Sequence, residues 1–422
     1  MTPPRLAAHA VPPMLAFVLA LLAGTPALGQ SSPWYVAGSV NLSRESNLLR
    51  LVDGQEAPAG YSKSDRITST ALLAGLDQGL GRQRLYGNVA LRANRFSDNP
   101  LYNNHSYSAA AGLDWSSVER LSGSLSASAS RNLASFNLQE IGLLTEKNLE
   151  SVQALDGTLR WGLMTRYSLE ATAGRRRVTN SLDTASVQAR DFFQDTGSLG
   201  LRWNPSAVSS LGLALRSTRG HYPRFRLTVD GYEADRYKRH DIDFTASYRP
   251  SGASSLNLRL SNGKTAYDLA TQRNYSGLTG ALGWSWQTSG KVRLNTSLVR
   301  DTGQDSYAVT TFFGQSGTTD YSRITTSLRL KADYEVSAKI SMNLALGRSD
   351  RDLVQTQPGL FSDVQASGRD RYTTLALGAR WIPYRSFMLG CDASTERRRG
   401  SGQLGSDLKA ATYGCYGQFT LQ

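Results

Sequence analysis

The chain has 422 residues, a formal net charge of +13 and only two cysteines. Two cysteines are too few for a disulfide scaffold or a metal cluster, and no phosphate-binding loop or nucleophile elbow occurs. The 39 glycines, together with abundant Ser, Thr and Leu, favour many twisted strands over helices. We therefore expect an all-β protein without a cofactor or a metal site.

The first 29 residues have the pattern of a secretory signal peptide. They combine Arg5, an apolar run over 14–23, and the small residues Ala27 and Gly29 before a cleavage site. The apolar run is too short to span a bilayer core of ~30 Å, which argues against an anchoring helix. We predict a signal peptide over 1–29 and a single domain over 30–422, because no Pro- or Gly-rich linker divides the chain.

Loss of Arg5 with the signal peptide lowers the 47 basic residues to 46 against 34 acidic ones, a formal charge of +12. Nucleic acid is a common partner of such basic chains, but an exported protein does not meet it routinely. Lipopolysaccharide phosphates or an acidic polysaccharide are the expected counter-ions, and no nucleic-acid partner is predicted.

Six of the seven tryptophans stand at the start of the mature chain or just before a short polar turn. Tyrosines fill the same place before two further turns. Amphipathic rings collect in this way at a membrane-water interface. The predicted periplasmic aromatic girdle consists of Trp34, Trp115, Trp161, Trp203, Tyr248, Trp286, Tyr334 and Trp381.

Apolar and polar residues alternate with period two over long stretches. Over 121–130, for example, Leu, Gly and Ala share one parity and five serines share the other. A soluble β-sandwich could alternate in the same way, but it has no reason to repeat an aromatic residue at every short turn. Because no later segment is apolar enough for a membrane helix, the pattern predicts a transmembrane antiparallel β-barrel in the bacterial outer membrane.

We predict about 18 strands, with 16 as the alternative count. Short turns follow the girdle aromatics, and long charged connections join the strands at the other end, which is the arrangement of periplasmic turns and outer loops. The long connections are expected near 45–64, 134–149, 179–189, 221–236, 303–319, 350–369 and 398–408.

Four arginines adjoin girdle aromatics and therefore point into the lumen if the aromatics point to lipid: Arg160, Arg202, Arg249 and Arg380. One interpretation is a pore-lining basic ring that attracts anions near the periplasmic mouth. The alternative is a self-neutralising lattice, because inward parity is also predicted for Asp114, Glu170, Asp243, Asp333 and Asp392.

A second basic set lies toward the outer end. Binding to lipopolysaccharide phosphates is its simplest interpretation, and a substrate site is the alternative. The set comprises Arg175 to Arg177, Arg236, Lys238, Arg239, and Arg397 to Arg399. The pairs Asp235-Arg236, Asp350-Arg351 and Asp370-Arg371 are expected to be solvated rim charges.

The mature chain has three histidines, His105, His221 and His240, and none has a Ser or Asp neighbour pattern that singles it out as a base. We therefore expect no catalytic residue and no enzyme activity. Cys391 and Cys415 share lipid-facing parity on the last two strands, so they are a candidate disulfide or two unbridged apolar side chains.

The closing strand over 413–422 resembles the terminal signal through which the barrel assembly machinery recognises outer-membrane proteins. It ends on Gln422 instead of an aromatic residue, and Phe419 could serve in its place.

The segment over 34–180 resembles the exopolysaccharide-biosynthesis outer-membrane proteins of exosortase systems, the EpsL type. The stretches that carry the resemblance are 41–51, 62–70, 82–89 and 102–107 with 112–115. The resemblance implies a part in making or exporting extracellular polysaccharide, with the polysaccharide and periplasmic export components as partners. It implies no catalytic residues.

Three functions remain open from the sequence. The barrel could conduct or help to export a polymer, it could be a general or anion-selective porin, or it could be a structural or docking barrel with a plugged lumen. An open lumen favours the first two functions, and a plugged lumen favours the third.

Overall fold

The computed structural model describes residues 32–118, 120–138, 142–162, 166–302, 322–357, 364–402 and 405–422. The predicted signal peptide over 1–29 lies outside these residues. No helix in the described ranges is long and apolar enough to cross a membrane.

Within the described residues, eighteen long strands form one closed antiparallel sheet. They are β1 Trp34–Glu45, β2 Asp65–Leu80, β3 Gln83–Phe96, β4 Asn104–Ser116, β5 Leu121–Leu133, β6 Leu149–Trp161, β7 Tyr167–Asn180, β8 Phe192–Ser206, β9 Ser209–Thr228, β10 Gly231–Ser251, β11 Ser254–Tyr267, β12 Tyr275–Gln287, β13 Val292–Asp301, β14 Ser322–Glu335, β15 Ile340–Gln357, β16 Val364–Tyr384, β17 Phe387–Gly402 and β18 Leu408–Leu421. Each strand pairs with its neighbours in sequence, and β18 pairs with β1 to close the barrel. The predicted fold and the count of 18 strands are confirmed.

The two faces of the wall follow the alternation in the sequence. Leu125, Leu199 and Leu213 lie on one face, each at least half exposed in the isolated chain. Side chains of the other parity converge across the interior: Arg239 of β10 donates to Thr302, which follows β13. Only the inner face of a closed barrel allows this contact, so the leucine face is the one that meets lipid.

The two ends of the barrel differ as expected. The eight girdle aromatics lie at the end with the short turns, and their side chains have the lipid-facing parity. Trp284, also on this face, stacks on Trp286 with ring centroids 5.3 Å apart. The start of β1 and the end of β18 lie at this same end, because an even number of strands returns the chain to its starting side.

One predicted long loop is wrong. The connection expected over 221–236 is a strand hairpin, because β9 and β10 continue to a turn of two residues, Val229 and Asp230. Arg226 and Glu233 form an ion pair across this hairpin, with 3.0 Å between Nε and Oε2. The following Gly231 has a φ of +114°, a backbone conformation that favours glycine. The glycine directly after the turn and the alternation through Tyr232 carry the pairing beyond the predicted strand ends.

Two further loops are shorter than predicted. Strand structure extends to Gln357 and resumes at Val364, and it extends to Gly402 and resumes at Leu408. The expected connections over 350–369 and 398–408 are therefore mostly strand. The expected connection over 303–319 lies outside the described residues.

The outer loops pack on one another through an apolar cluster. Leu49, Leu51, Phe96, Tyr102 and Phe136 are buried together, and they come from three different connections and the end of β3. Burial raises the pKa of the Tyr102 phenol to about 12. Its hydroxyl donates to the carbonyl of Thr145 at 3.1 Å. These contacts give the outer rim on this side a small core of its own.

Three of the outer loops are each held by one polar side chain, here called a clamp. The three clamp residues lie at β2, β6 and β10, which are four strands apart. The Asp65 carboxylate, at the start of β2, accepts backbone N–H groups of the β3–β4 loop at 2.9 to 3.1 Å. Asp235 of β10 does the same for the β11–β12 loop at 2.9 and 3.2 Å. Asn148, before β6, accepts two N–H groups of the β7–β8 loop. Each clamp thus ties the backbone of one outer loop to a side chain at the end of a nearby strand.

Candidate functional site: the lumen

The inner wall at mid-barrel is rich in hydroxyl and amide groups. The inner face of β5 presents Ser122, Ser124, Ser126, Ser128 and Ser130 in succession. Hydroxyl pairs continue the pattern around the wall, as between Thr172 and Ser198 at 2.6 Å. Some of the inward-facing residues are solvent-exposed, among them Asn88, Ser128, Asp156 and Asn257, whereas others, such as Ser122 and Ser261, are buried. Water therefore reaches the hydroxyl-rich part of the wall.

The four arginines of the predicted ring occupy only part of the circumference. Arg160, Arg202 and Arg249 lie on β6, β8 and β10, on alternate strands of one side. Arg380 lies on β16, across the barrel. Three of the four positions thus form an arc near the short-turn end, and the fourth stands apart.

Carboxylates neutralise part of this arc. Glu170 of β7 lies between two of the arginines, with its Oε2 2.5 Å from Nε of Arg160 and 3.1 Å from an Nη of Arg202. Arg380 donates to the Ser341 hydroxyl at 3.2 Å. Arg249 has no side-chain partner within the part of the chain that the structure describes. The sequence left two interpretations open, a basic ring and a self-neutralising lattice. The arrangement has features of both.

Cations and carboxylates occur in near-equal number on the inner face of the described strands. The inward cations are Arg84, Arg92, Arg160, Arg176, Arg202, Arg216, Arg239, Arg249, Arg259, Arg293, Arg329, Lys331, Arg351, Arg380 and Arg398. The inward carboxylates are Glu45, Asp65, Asp77, Asp114, Glu150, Asp156, Glu170, Asp235, Asp241, Asp243, Asp301, Asp333, Glu335, Asp370, Asp392 and Glu396. The lumen wall is therefore close to neutral.

The outer face of the same strands is strongly basic toward the loop end. Its cations there are Arg44, Arg66, Arg95, Arg131, Arg175, Arg177, Arg219, Arg236, Lys238, Lys264, Arg300, Arg348, Arg369, Arg371, Arg397, Arg399 and Lys409. The carboxylates on the same part of the outer face are Asp195, Asp350 and Asp352. Much of the positive charge of the protein thus faces the lipid headgroup region.

We predict that Glu170→Gln makes the channel more anion-selective. The substitution leaves Arg160 and Arg202 charged while removing the carboxylate that both contact, so the local field near the mouth becomes more positive. The reversal potential in asymmetric KCl should shift toward that of chloride. Asp195→Asn, which removes a carboxylate from the lipid-facing side, is the matched control and should leave selectivity unchanged. Equal selectivity of Glu170→Gln and the wild type would contradict a role of this arc in conduction.

A chain of four charges is buried in the wall nearer the outer end. Arg239 contacts both Asp241 oxygens through Nε at 2.8 and 2.9 Å. Arg216 contacts Asp241 at 3.2 Å and Asp243 at 2.9 Å. Hydroxyls of Thr302 and Thr279 accept hydrogen bonds from the two Nη atoms of Arg239 at 2.8 and 3.2 Å. Such a network is stable only because its charges balance and its hydrogen bonds are made.

A second buried network joins β15, β16 and β17. Arg351 donates to Asp370 at 3.1 Å, and its guanidinium lies 4.3 Å from the centroid of the Tyr372 ring. Arg398 donates to the Tyr372 hydroxyl at 3.1 Å and to the carbonyl of Ser406 at 2.9 Å. Together the two networks fix the inner wall at the level of the outer loops.

Several of these charged groups lie elsewhere than the sequence indicated. Asp235, Asp370 and Arg351 are buried, so they are not the solvated rim charges that were expected. Arg239 and Arg398 are buried on the inner face, and Arg176 also has inward parity, so these three cannot contact lipopolysaccharide with the rest of the outer basic set. The signal was available in the strand parity, since Lys238 and Arg239 must point to opposite faces.

The remaining candidate residues lie on the lipid-facing side. Cys391 and Cys415 are directly opposite each other and form a disulfide, with a Cα–Cα distance of 4.0 Å. His105, His221 and His240 have outward parity, and His221 stacks on Phe193. In the described residues, no group of three His, Cys, Asp or Glu side chains could hold a metal ion.

No protein-family model and no curated protein matches the chain. Solved structures that are similar include the outer membrane protein OpdK of Pseudomonas aeruginosa, with 13% identity, a TM-score of 0.45, and coverage of 92% of this chain and 98% of that one. OccK2 (OpdF) of the same organism has 13% identity and a TM-score of 0.47, and the match covers 92% of this chain and 98% of OccK2. The siderophore receptor PirA of Acinetobacter baumannii has 8% identity and a TM-score of 0.41. The match covers 93% of this chain and 81% of PirA.

The architecture itself determines where the protein resides. A closed antiparallel barrel satisfies all backbone hydrogen bonds of its wall, which is the requirement for crossing a bilayer with strands. The leucine-rich outer face and the aromatic girdle match the apolar band and interface of such a barrel. The protein is an outer-membrane β-barrel.

Proposed function

We propose that the barrel is a channel for hydrophilic, hydroxyl-rich solutes, with extracellular polysaccharide as its substrate class. The observation that carries the proposal is the uncharged hydroxyl and amide lining of the exposed lumen, beside charges that are largely balanced within the wall. A barrel of this strand number is wide enough to enclose an aqueous channel.

Hydroxyl-rich walls suit sugars because a serine or threonine hydroxyl both donates and accepts hydrogen bonds, as a sugar hydroxyl does. A moving saccharide can therefore exchange its water contacts for many equivalent wall contacts. Conduction requires such weak binding at many sites, since tight binding at one site would hold the solute. The serine series of β5 provides contacts of this kind along the direction of transport.

A role in exopolysaccharide biosynthesis or export is the finer part of the proposal. It is supported by the resemblance over 34–180, a segment that contains the serine series of β5. Periplasmic export components would deliver the polymer to the short-turn end, where Arg160, Arg202 and Glu170 lie. Hydrophilic mixed charges at this mouth favour a hydrated polymer over an apolar one.

Liposome swelling with neutral saccharides of increasing length tests the channel. Vesicles that contain the protein should swell, at rates that fall with saccharide size. Ser128→Trp narrows the lumen and should slow the swelling, whereas Ala129→Trp faces lipid and is the matched control that should not. Vesicles that stay impermeable to the smallest saccharide would overturn the channel and favour a docking barrel with a plugged lumen.

An anion-selective porin is the second candidate, and the exposed Arg249 without a side-chain partner in the described residues favours it. A variant with Gln at Arg160, Arg202, Arg249 and Arg380 distinguishes the two. If the wild type prefers chloride strongly and the variant does not, the porin is the better description. If both show weak selectivity, the charges of the arc act as part of a neutral lattice.

A further inference from the structure

A groove of about 1280 Å³ runs across the lipid-facing wall between β14 and β2. Its floor follows a row of directly opposed small side chains, from Ala379 through the Cys391–Cys415 disulfide. Leu344 and Leu377 form apolar walls beside this row. The strands are tilted relative to the barrel axis, and a row of opposed residues runs perpendicular to the strands. The groove along this row therefore rises from the girdle side toward the outer loops.

Two arginines stand at the outer end of the groove. Arg44 of β1 and Arg66 of β2 are directly opposite each other, and both are exposed on the lipid-facing side. Neither has an ion-pair partner among the residues that the structure describes. Directly opposed like charges destabilise a strand pair, and an anion bound between them would remove the repulsion.

We propose that this groove binds lipid A, the phosphorylated and acylated anchor of lipopolysaccharide. A lipid A phosphate accepts hydrogen bonds from Arg44 and Arg66, whose guanidinium groups suit two-pronged contacts with phosphate. An acyl chain of the same molecule lies along the floor, over Ala379 and the disulfide. The apolar floor and the paired cations thus recognise the two halves of one amphipathic molecule.

The charge distribution favours lipid over a second copy of this chain. The carboxylates on the outer face toward the loop end are Asp195, Asp350 and Asp352. Each is already paired with an arginine of its own wall, at 2.6 to 2.9 Å. Within the strands that the structure describes, the outer face of a second barrel therefore has no free carboxylate at this level to offer to Arg44 and Arg66. The loop end of the barrel meets the outer leaflet, where lipid A is the abundant anion.

Binding of purified lipid A to the detergent-solubilised protein tests the proposal. Native mass spectrometry and a titration by microscale thermophoresis should show one lipid A bound with high affinity. Arg44→Gln/Arg66→Gln should weaken the affinity about tenfold or more, since each charged hydrogen bond to phosphate contributes strongly. The control Arg82→Gln/Arg120→Gln removes the same charge at the short-turn end and should leave the affinity unchanged.

A second variant tests the groove independently of charge. Ala379→Phe places a ring on the groove floor and should also weaken lipid A binding, while the heat-modifiable gel shift reports that the barrel remains folded. Unchanged lipid A affinity in the double Gln variant would overturn the proposal. Equal affinity for phosphatidylglycerol would show that the groove binds anionic lipids in general and is not specific for lipid A. Competition by inorganic phosphate would show that the two arginines bind a phosphate ion without the lipid. A dimer that dissociates in the variants would show instead that the groove is an interface between copies.

Discussion

Replacement of Asp241 by Asn should be among the most damaging polar substitutions in the barrel. The Asp241 carboxylate contacts both Arg239 and Arg216, and Arg239 and Asp241 are almost completely buried. Loss of the carboxylate leaves the buried Arg239 without its counter-charge, which costs about 3 to 5 kcal/mol when one partner of a buried ion pair is removed. The free energy of unfolding from lipid vesicles, measured in a urea titration, should fall by this amount.

A double substitution separates charge imbalance from general disruption. Asp241→Asn/Arg239→Met removes one charge of each sign and leaves Arg216 paired with Asp243, so it should cost less than Asp241→Asn alone. Arg84→Gln breaks an exposed ion pair with Asp77 and should leave the free energy of unfolding nearly unchanged. If the double variant is less stable than the single one, the network is not held together by balanced charge.

Leu125→Arg should destabilise the barrel strongly, and the adjacent Ser126→Arg should not. Leu125 lies on the lipid-facing side in the middle of the apolar stretch of β5, where an arginine costs about 2 to 4 kcal/mol. Ser126 points into the lumen and lies opposite Asp156, so an arginine there is hydrated and meets a carboxylate. The two variants have the same charge and nearly the same depth.

Unfolding in urea from vesicles of defined thickness measures the difference between these variants directly. Equal losses for Leu125→Arg and Ser126→Arg would mean that the two faces of β5 are assigned wrongly. A loss for Ser126→Arg alone would mean that the serine face is the one that meets lipid.

The sequence predicted the architecture because barrel strands are encoded locally. The alternation over 121–130 defines both a strand and its two faces, and Trp115 or Trp161 defines which end is near the girdle. Each of these signals lies within one hairpin, so no knowledge of distant contacts is needed. Eighteen repeats of the pattern were therefore countable without the structure.

The pairing of charges could not be predicted in the same way. Whether Arg160 faces a free lumen or a carboxylate depends on the register of β6 against β7, which places Glu170 directly opposite. Strand parity separates Lys238 from Arg239, but it does not show that Arg239 reaches Thr302 from β10. Parity predicts the face of a side chain, whereas its partner is set by cross-strand register and by the curvature of the closed wall.

The loop ends were the least predictable part for a related reason. Asp65 and Asp235 begin similar Asp-Arg-apolar segments, and in the structure both accept backbone N–H groups from a loop two strands further along. A short acidic motif at a strand end does not reveal that distant loop. The same limit led to the wrong loop over 221–236, where charged residues continue a paired hairpin beyond the membrane.

Single-channel recording in planar bilayers tests the central claim most directly, namely that the lumen is a water-filled, nearly neutral path for saccharides. The wild-type protein should conduct with weak ion selectivity. A neutral linear oligosaccharide added at the short-turn side should cause brief current blockades whose frequency rises with its concentration. Conductance without blockades at any saccharide length would contradict a saccharide path, and absence of conductance in folded, inserted protein would contradict an open lumen.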